Sequence, residues 1–147
     1  MVVKKEEGFT LIELIVTLAI IGIVFSIYSS LYYSGYKSFT STQKNVDIEQ
    51  NVRYAMNYIV SLLEKGYDNI EIIDNGHGIK IDDTEIKLNE AKHVLYKDKN
   101  TGHELAVKIY GFNLDINKNI LRIQIIGQSD DKGSNRFSLS TDFYLRK

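Results

Sequence analysis

One stretch decides what this chain can fold into: between Phe9 and Tyr36 the only charged residue is Glu13. The run FTLIELIVTLAIIGIVFSIYSSLYY exceeds the roughly 20 residues a helix needs to cross a bilayer core. A lone segment in lipid must satisfy its backbone internally, which predicts a helix. Tyr28, Tyr32, Tyr33 and Tyr36 gather at its far end, as aromatic residues do at a membrane–water interface. The core of a soluble protein accommodates tyrosines too, but does not account for so long an uncharged run. Ahead of it stands a short polar leader, MVVKKEEG.

From Lys37 to Lys65 the pattern becomes amphipathic. Ile48, Val52, Ala55, Met56, Ile59, Leu62 and Leu63 recur at helical spacing, with Glu49, Gln50, Arg53 and Asn57 between them. Gly66 is the expected stop. Uninterrupted from Phe9 to Glu64, such a helix is on the order of 80 Å long. A bend or local fraying is expected at Ser29-Ser30 or Gly35. Beyond Gly66 the helical period gives way to short runs rich in β-branched residues: Ile70–Ile73, Ile79–Ile81, Glu85–Leu88, His93–Tyr96, Glu104–Tyr110, Ile120–Ile126 and Phe137–Leu145. Asn75-Gly76, Asn100-Thr101-Gly102 and Asn117-Lys118-Asn119 read as hairpin turns. The expected fold class is α+β, a long N-terminal helix whose second half packs on a C-terminal antiparallel β-sheet. The expected division is a leader at 1–8, a membrane-spanning helix at 9–36 and a soluble head at 37–147. Within the head, the amphipathic helix occupies 37–65 and the β-rich region 67–147.

The 147 residues suit one domain, and the charge is concentrated in the head. Of eighteen Lys and Arg, two lie in the leader; of nineteen Asp and Glu, two lie in the leader and one is Glu13. The head is therefore formally neutral and gives no electrostatic reason to expect a nucleic-acid partner. The absence of cysteine excludes disulfides and thiolate metal sites. His77, His93 and His103 are dispersed, without the spacing of a metal-binding helix. Asp115-Ile116-Asn117-Lys118-Asn119 begins like a calcium loop, but it lacks the sixth-position Gly and has Ile126 at the twelfth position, so a turn is expected. Asp130–Asn135 reads as another polar turn. No phosphate loop or nucleophile motif is present, so neither an enzyme nor a cofactor is expected.

The carboxylate of Glu13 needs its own account. A secretory signal is cut after its apolar run, next to small residues. Here the run continues past Thr17-Leu18-Ala19, and Glu13 interrupts it beforehand. A plain signal anchor explains the apolar stretch but not a carboxylate inside it. Charges in membrane segments usually have partners. Cleavage next to Gly8 would create one, because the α-amine of Phe9 would be largely cationic at neutral pH. Four positions separate Phe9 from Glu13, which allows pairing within one chain. Gly22, Ser26, Ser30 and Ser34 fall on one i, i+4 row, and small residues let membrane helices approach closely.

Gly8-Phe9-Thr10-Leu11-Ile12-Glu13 and the apolar run behind it resemble the class III signal of type IV pilins and pseudopilins. The resemblance implies a prepilin peptidase that cuts between Gly8 and Phe9 and N-methylates Phe9. It implies a leader kept in the cytoplasm, consistent with Lys4 and Lys5, and a head on the other side of the membrane. It also implies Glu13 pairing with the N-terminus of a neighbouring subunit. The implied partners are other pilin or pseudopilin subunits, the peptidase and a membrane assembly platform. Many members carry a Pro in the anchoring helix; this chain has none. Gln50–Ile59 and the ending Asp142-Phe143-Tyr144-Leu145-Arg146 look like minor pilins of the J or W type, and having Glu13 is unlike the tip pseudopilin that lacks this carboxylate. The alternatives are a pilus-tip adhesin or DNA-binding module, and an uncleaved single-pass anchored domain.

Overall fold

A computed structural model describes residues 9–98, 103–133 and 135–145. The leader, the expected turn at Asn100-Thr101-Gly102 and the final Arg146 lie outside the described residues. Two compact units divide the chain, Met1–Ser41 and Thr42–Lys147.

A single helix, α1, runs uninterrupted from Leu11 to Glu64, 54 residues. Ser29, Ser30 and Gly35 all stay helical, so the fraying expected there is absent. The hydroxyls along this stretch return to their own backbone without interrupting it. The Ser29 hydroxyl donates to the Phe25 carbonyl at 2.8 Å and the Thr40 hydroxyl to the Tyr36 carbonyl at 2.9 Å, one turn back in each case. With no Pro, no backbone donor is missing anywhere along the helix. The stop is where expected. Gly66 takes φ +102°, a conformation a side chain would strain, and its N–H reaches the Leu63 carbonyl at 3.4 Å.

Within the first unit, every large apolar side chain from Phe9 to Phe39 is at least 48% exposed. In the second unit the pattern inverts. Ile48, Val52, Ala55, Met56, Ile59 and Leu63 are buried, while Leu62 at the margin of the stripe is half-buried. Arg53 points to solvent as a helix-surface residue does, bonded to Glu49 one turn back at 2.7 Å.

Among the described residues, eight antiparallel strands follow. β1 (Ile70–Ile73), β2 (Gly78–Ile81), β3 (Thr84–Asn89), β4 (Val94–Lys97) and β5 (His103–Val107) form a five-stranded sheet in sequential order. β6 (Ile109–Asn117), β7 (Ile120–Gly127) and β8 (Phe137–Tyr144) form a second, three-stranded sheet. The expected single run Glu104–Tyr110 is therefore two strands in two sheets. Lys108 divides it with φ +60°, and β6 extends on to Asn117. His93, expected inside a strand, sits just before β4 at φ +54°. The turns at Asn75-Gly76 and at Lys118-Asn119 join adjacent antiparallel strands as expected. Asp82 adds a tie of its own: its carboxylate accepts the N–H groups of Asp68 and Asn69 at 2.9 and 2.8 Å, fixing the segment that leaves the helix.

The core joins the buried stripe of α1 to Ile79, Ile86, Leu95, Phe112, Leu121, Ile123 and Ile125. Helix and sheet approach closely at Gly127 on β7. A Cβ there would lie 2.7 Å from Ile48 Cγ2 and 2.8 Å from Val52 Cγ2, closer than packed carbons tolerate. Gly127→Val is expected to force the helix off the sheet and to destabilise the head by about 1–3 kcal/mol. Thermal unfolding of the full chain in detergent should show a lowered midpoint, whereas Gly22→Val, with nothing within 4 Å of its Cβ, should leave that midpoint unchanged.

Candidate functional site

The first turn of α1 is built by Thr10-Leu11-Ile12-Glu13. Thr10 is the N-cap: its carbonyl accepts the first helical hydrogen bond, from the Leu14 N–H at 3.2 Å. Its hydroxyl oxygen accepts the Glu13 N–H at 3.4 Å. The Glu13 carboxylate reaches back and accepts the Thr10 N–H at 2.9 Å and the Thr10 hydroxyl at 2.8 Å. This reciprocal arrangement is a capping box, in which a Thr and the Glu three residues later satisfy donors that the helix itself leaves orphaned. A carboxylate in the first turn also faces the positive end of the helix dipole.

Glu13 therefore has a partner before any cleavage. The residue that supplies it, Thr10, is one the sequence reading left without a role, although T-x-x-E ahead of an apolar run is a legible signature. Phe9 precedes the box and is 87% exposed. Gly8 lies outside the described residues. Gly22 has open space around its Cα, and Ser26, Ser30 and Ser34 are exposed along the same helix. A shallow, almost wholly apolar concavity lies along Phe9, Ile12, Val16 and Thr17, with Glu13 at its margin.

This end of the chain is a helix with a largely apolar exposed surface and a hydrogen-bonded carboxylate in its first turn. Apolar surface of this kind is removed from water either by lipid or by other helices. The rod's hydroxyls do not prevent that, since Thr17 also returns its hydroxyl to a carbonyl of its own helix, Leu14, at 2.9 Å.

The head distributes its polar groups differently. Among the described residues no group of three or more His, Asp and Glu side chains is placed to hold a metal ion. Asp115 lies in strand β6 opposite Arg122 of β7, and Arg122 faces Asp142 of β8. Arg122 makes two hydrogen bonds to the Asp142 carboxylate, at 2.8 and 2.9 Å. That pairing holds the Asp142 carboxyl below the usual range and raises the guanidinium further. His77 Nδ1 lies 3.0 Å from the Phe112 carbonyl. His93 stacks on Tyr110 with ring centroids 3.8 Å apart, and both reach Asp131, at 3.3 and 2.9 Å. Burial, and then the bond to Asp131, push the Tyr110 hydroxyl above its ordinary value. Of the expected turn at 130–135, the Asp130 carbonyl accepts the Gly133 N–H at 3.1 Å; Ser134 is outside the described residues. His103 opens β5 on an exposed face. These contacts tie strands and a turn together, and Asp115, Arg122 and Asp142 also line an open concavity of about 670 Å³ on the three-stranded sheet, with Asn113, Gln124 and Ser140.

Residues 3–29 match the family model of the prokaryotic N-terminal methylation motif. No curated protein and no solved structure matches the chain.

Two outcomes follow from this geometry. Thr10→Ala removes the cap, worth about 1 kcal/mol, so the Glu13 and Leu14 amides should exchange hydrogen roughly fivefold faster in detergent micelles. For Asp142 the folded-state pKa is depressed, so its contribution is present above the unfolded value, near 4, and is lost as pH falls through the folded value. The difference in unfolding midpoint between wild type and Asp142→Asn should therefore be largest near neutral pH and close as the pH drops below about 4.

Proposed function

We propose that this chain, which opens on a type IV pilin-like prepilin signal, is a structural subunit of a type IV pilus or pseudopilus filament. The observation that carries the reading is the conjunction at one helix terminus. A methylation motif, a fully exposed apolar rod and a single carboxylate in its first turn coincide. A rod held in lipid as a precursor can be handed to a bundle of like rods, because both surroundings remove the same surface from water.

The mechanism assigns each residue a task. The peptidase cuts between Gly8 and Phe9 and methylates the new N-terminus at Phe9, keeping its positive charge. The amine, with a reference pKa near 8, is then largely cationic at neutral pH. The new charge arises at the positive end of the helix dipole, where it is unfavourable unless compensated. Glu13 in the same turn compensates it, first within the chain and then across to the neighbouring subunit. Exchange of the Thr10 bonds for an intersubunit ion pair couples processing to assembly. Gly22, Ser26 and Ser30 form the face on which neighbouring helices approach closely. In this reading the leader remains cytoplasmic, one helix crosses the membrane, and the head lies outside it. The stretch Gln50–Ile59 and the C-terminal strand support a minor rather than a major subunit.

Mass spectrometry of the protein from its host tests the first step: the expected N-terminal peptide begins at N-methylated Phe9. A chain that retains Met1 to Gly8 would be a tethered domain instead. Glu13→Ala should be processed normally yet be missing from sheared filaments. Recovery of this variant in filaments at wild-type level would remove the assembly role of Glu13.

A further inference from the structure

Side chains alternate between the faces of a strand, so β6, β7 and β8 turn a set of polar residues away from the core. Register gathers six of them into two neighbouring rows. Asn113, Gln124 and Ser140 make one row; Asp115, Arg122 and Asp142 make the other. At strand spacing the two rows cover about 10 by 7 Å. They floor the open concavity of about 670 Å³ on this sheet.

Antiparallel sheets commonly leave one face to water, but this face is not built from long solvated side chains. Lysine is absent from all three strands, and Arg122 is their one basic residue. Two contacts hold the rows flat. Asn113 donates a side-chain N–H to Gln124 Oε1 at 3.1 Å, and Arg122 grips Asp142 through two bonds. Ordering that a ligand would otherwise have to impose is already in place.

These contacts leave groups of both kinds open. Among the described residues, the Asn113 side-chain carbonyl, the Asp115 carboxylate, the Gln124 amide N–H groups, Arg122 Nη1 and the Ser140 hydroxyl make no hydrogen bond. Acceptors and donors therefore stand side by side, and a hydroxyl is the group that answers both. The next row supplies apolar surface. Tyr144, 73% exposed, lies one step beyond Asp142 on the same face, with Ile120 opposite it. A sugar ring presents both surfaces at once, hydroxyls at its rim and C–H groups on its face. Other ligands meet obstacles. Two carboxylates against one guanidinium disfavour an anion. Arg122 stands between Asp115 and Asp142, where a cation would have to sit. A protein partner needs an apolar pocket for an anchoring side chain, and the two rows offer none.

We propose that this face binds a neutral carbohydrate, one ring stacked on Tyr144 and its hydroxyls bridging Arg122, Gln124, Asn113 and Asp115. Such binding requires neither processing at Phe9 nor assembly into a filament.

The probe is an immobilised panel of neutral oligosaccharides, each beside its sulfated form. It is read with the full-length protein in dodecylphosphocholine, a detergent without a sugar headgroup. At least one neutral member should be bound, and its sulfated form roughly tenfold more weakly. Gln124→Ala and Tyr144→Ala should each lower that binding roughly tenfold. Lys80→Ala, on the other sheet, should leave it unchanged. Both substituted side chains point away from the core, so the unfolding midpoint should hold in each variant. Binding of no neutral member, preference for a sulfated form, or binding left unchanged by either substitution would overturn the proposal.

Discussion

The structure depends on one helix that changes solvent partway along its length. Up to Phe39 its large apolar side chains are all exposed, and among the described residues no packing partner covers them. From Ile48 onward only one stripe is apolar, and the two sheets bury it. No Pro or loop marks the change. The composition of the helix surface alone separates a rod that needs neighbours from a spine that already has them. Every other feature takes its place from that change.

In the head, the sheet accommodates the spine rather than the reverse. Gly127 leaves room for Ile48 and Val52 where any side chain would collide. Asp82 clamps the residues that leave the helix, and Gly66 ends the helix so that β1 can begin. The cluster of His93, Tyr110 and Asp131 then joins the start of β4 to the beginning of β6 and to the turn before β8. Such contacts on exposed surfaces contribute modestly to stability, but they fix which strand goes where.

Much of this was legible in the residues, and the misses have physical causes. The two halves of α1, its stop at Gly66 and the turns at Asn75-Gly76 and Asn117–Asn119 follow from composition and period. Strand β1 matches its expected bounds, and β7 and β8 differ by one residue at an end. What was not legible is the division of Glu104–Tyr110. Lys108 adopts a left-handed conformation that lysine rarely takes, and a β-rich pattern cannot say that the chain changes sheets there. Partition into five and three strands depends on such tertiary choices, not on local preference. At the N-terminus, Glu13 stood out because it was costly in lipid. Its bonds to Thr10 are written in the T-x-x-E spacing, a local signature that stands beside the long-range one.

The hydroxyls of Thr17, Ser29 and Thr40 each hand their proton back to the helix that carries them. Hydroxyls settled in this way make no demand on what surrounds them. Lipid tails and sister helices present them with nearly the same environment, so moving between them breaks no hydrogen bond from these groups. On the proposed assembly, the reversibility of that exchange would be set by groups other than these three hydroxyls.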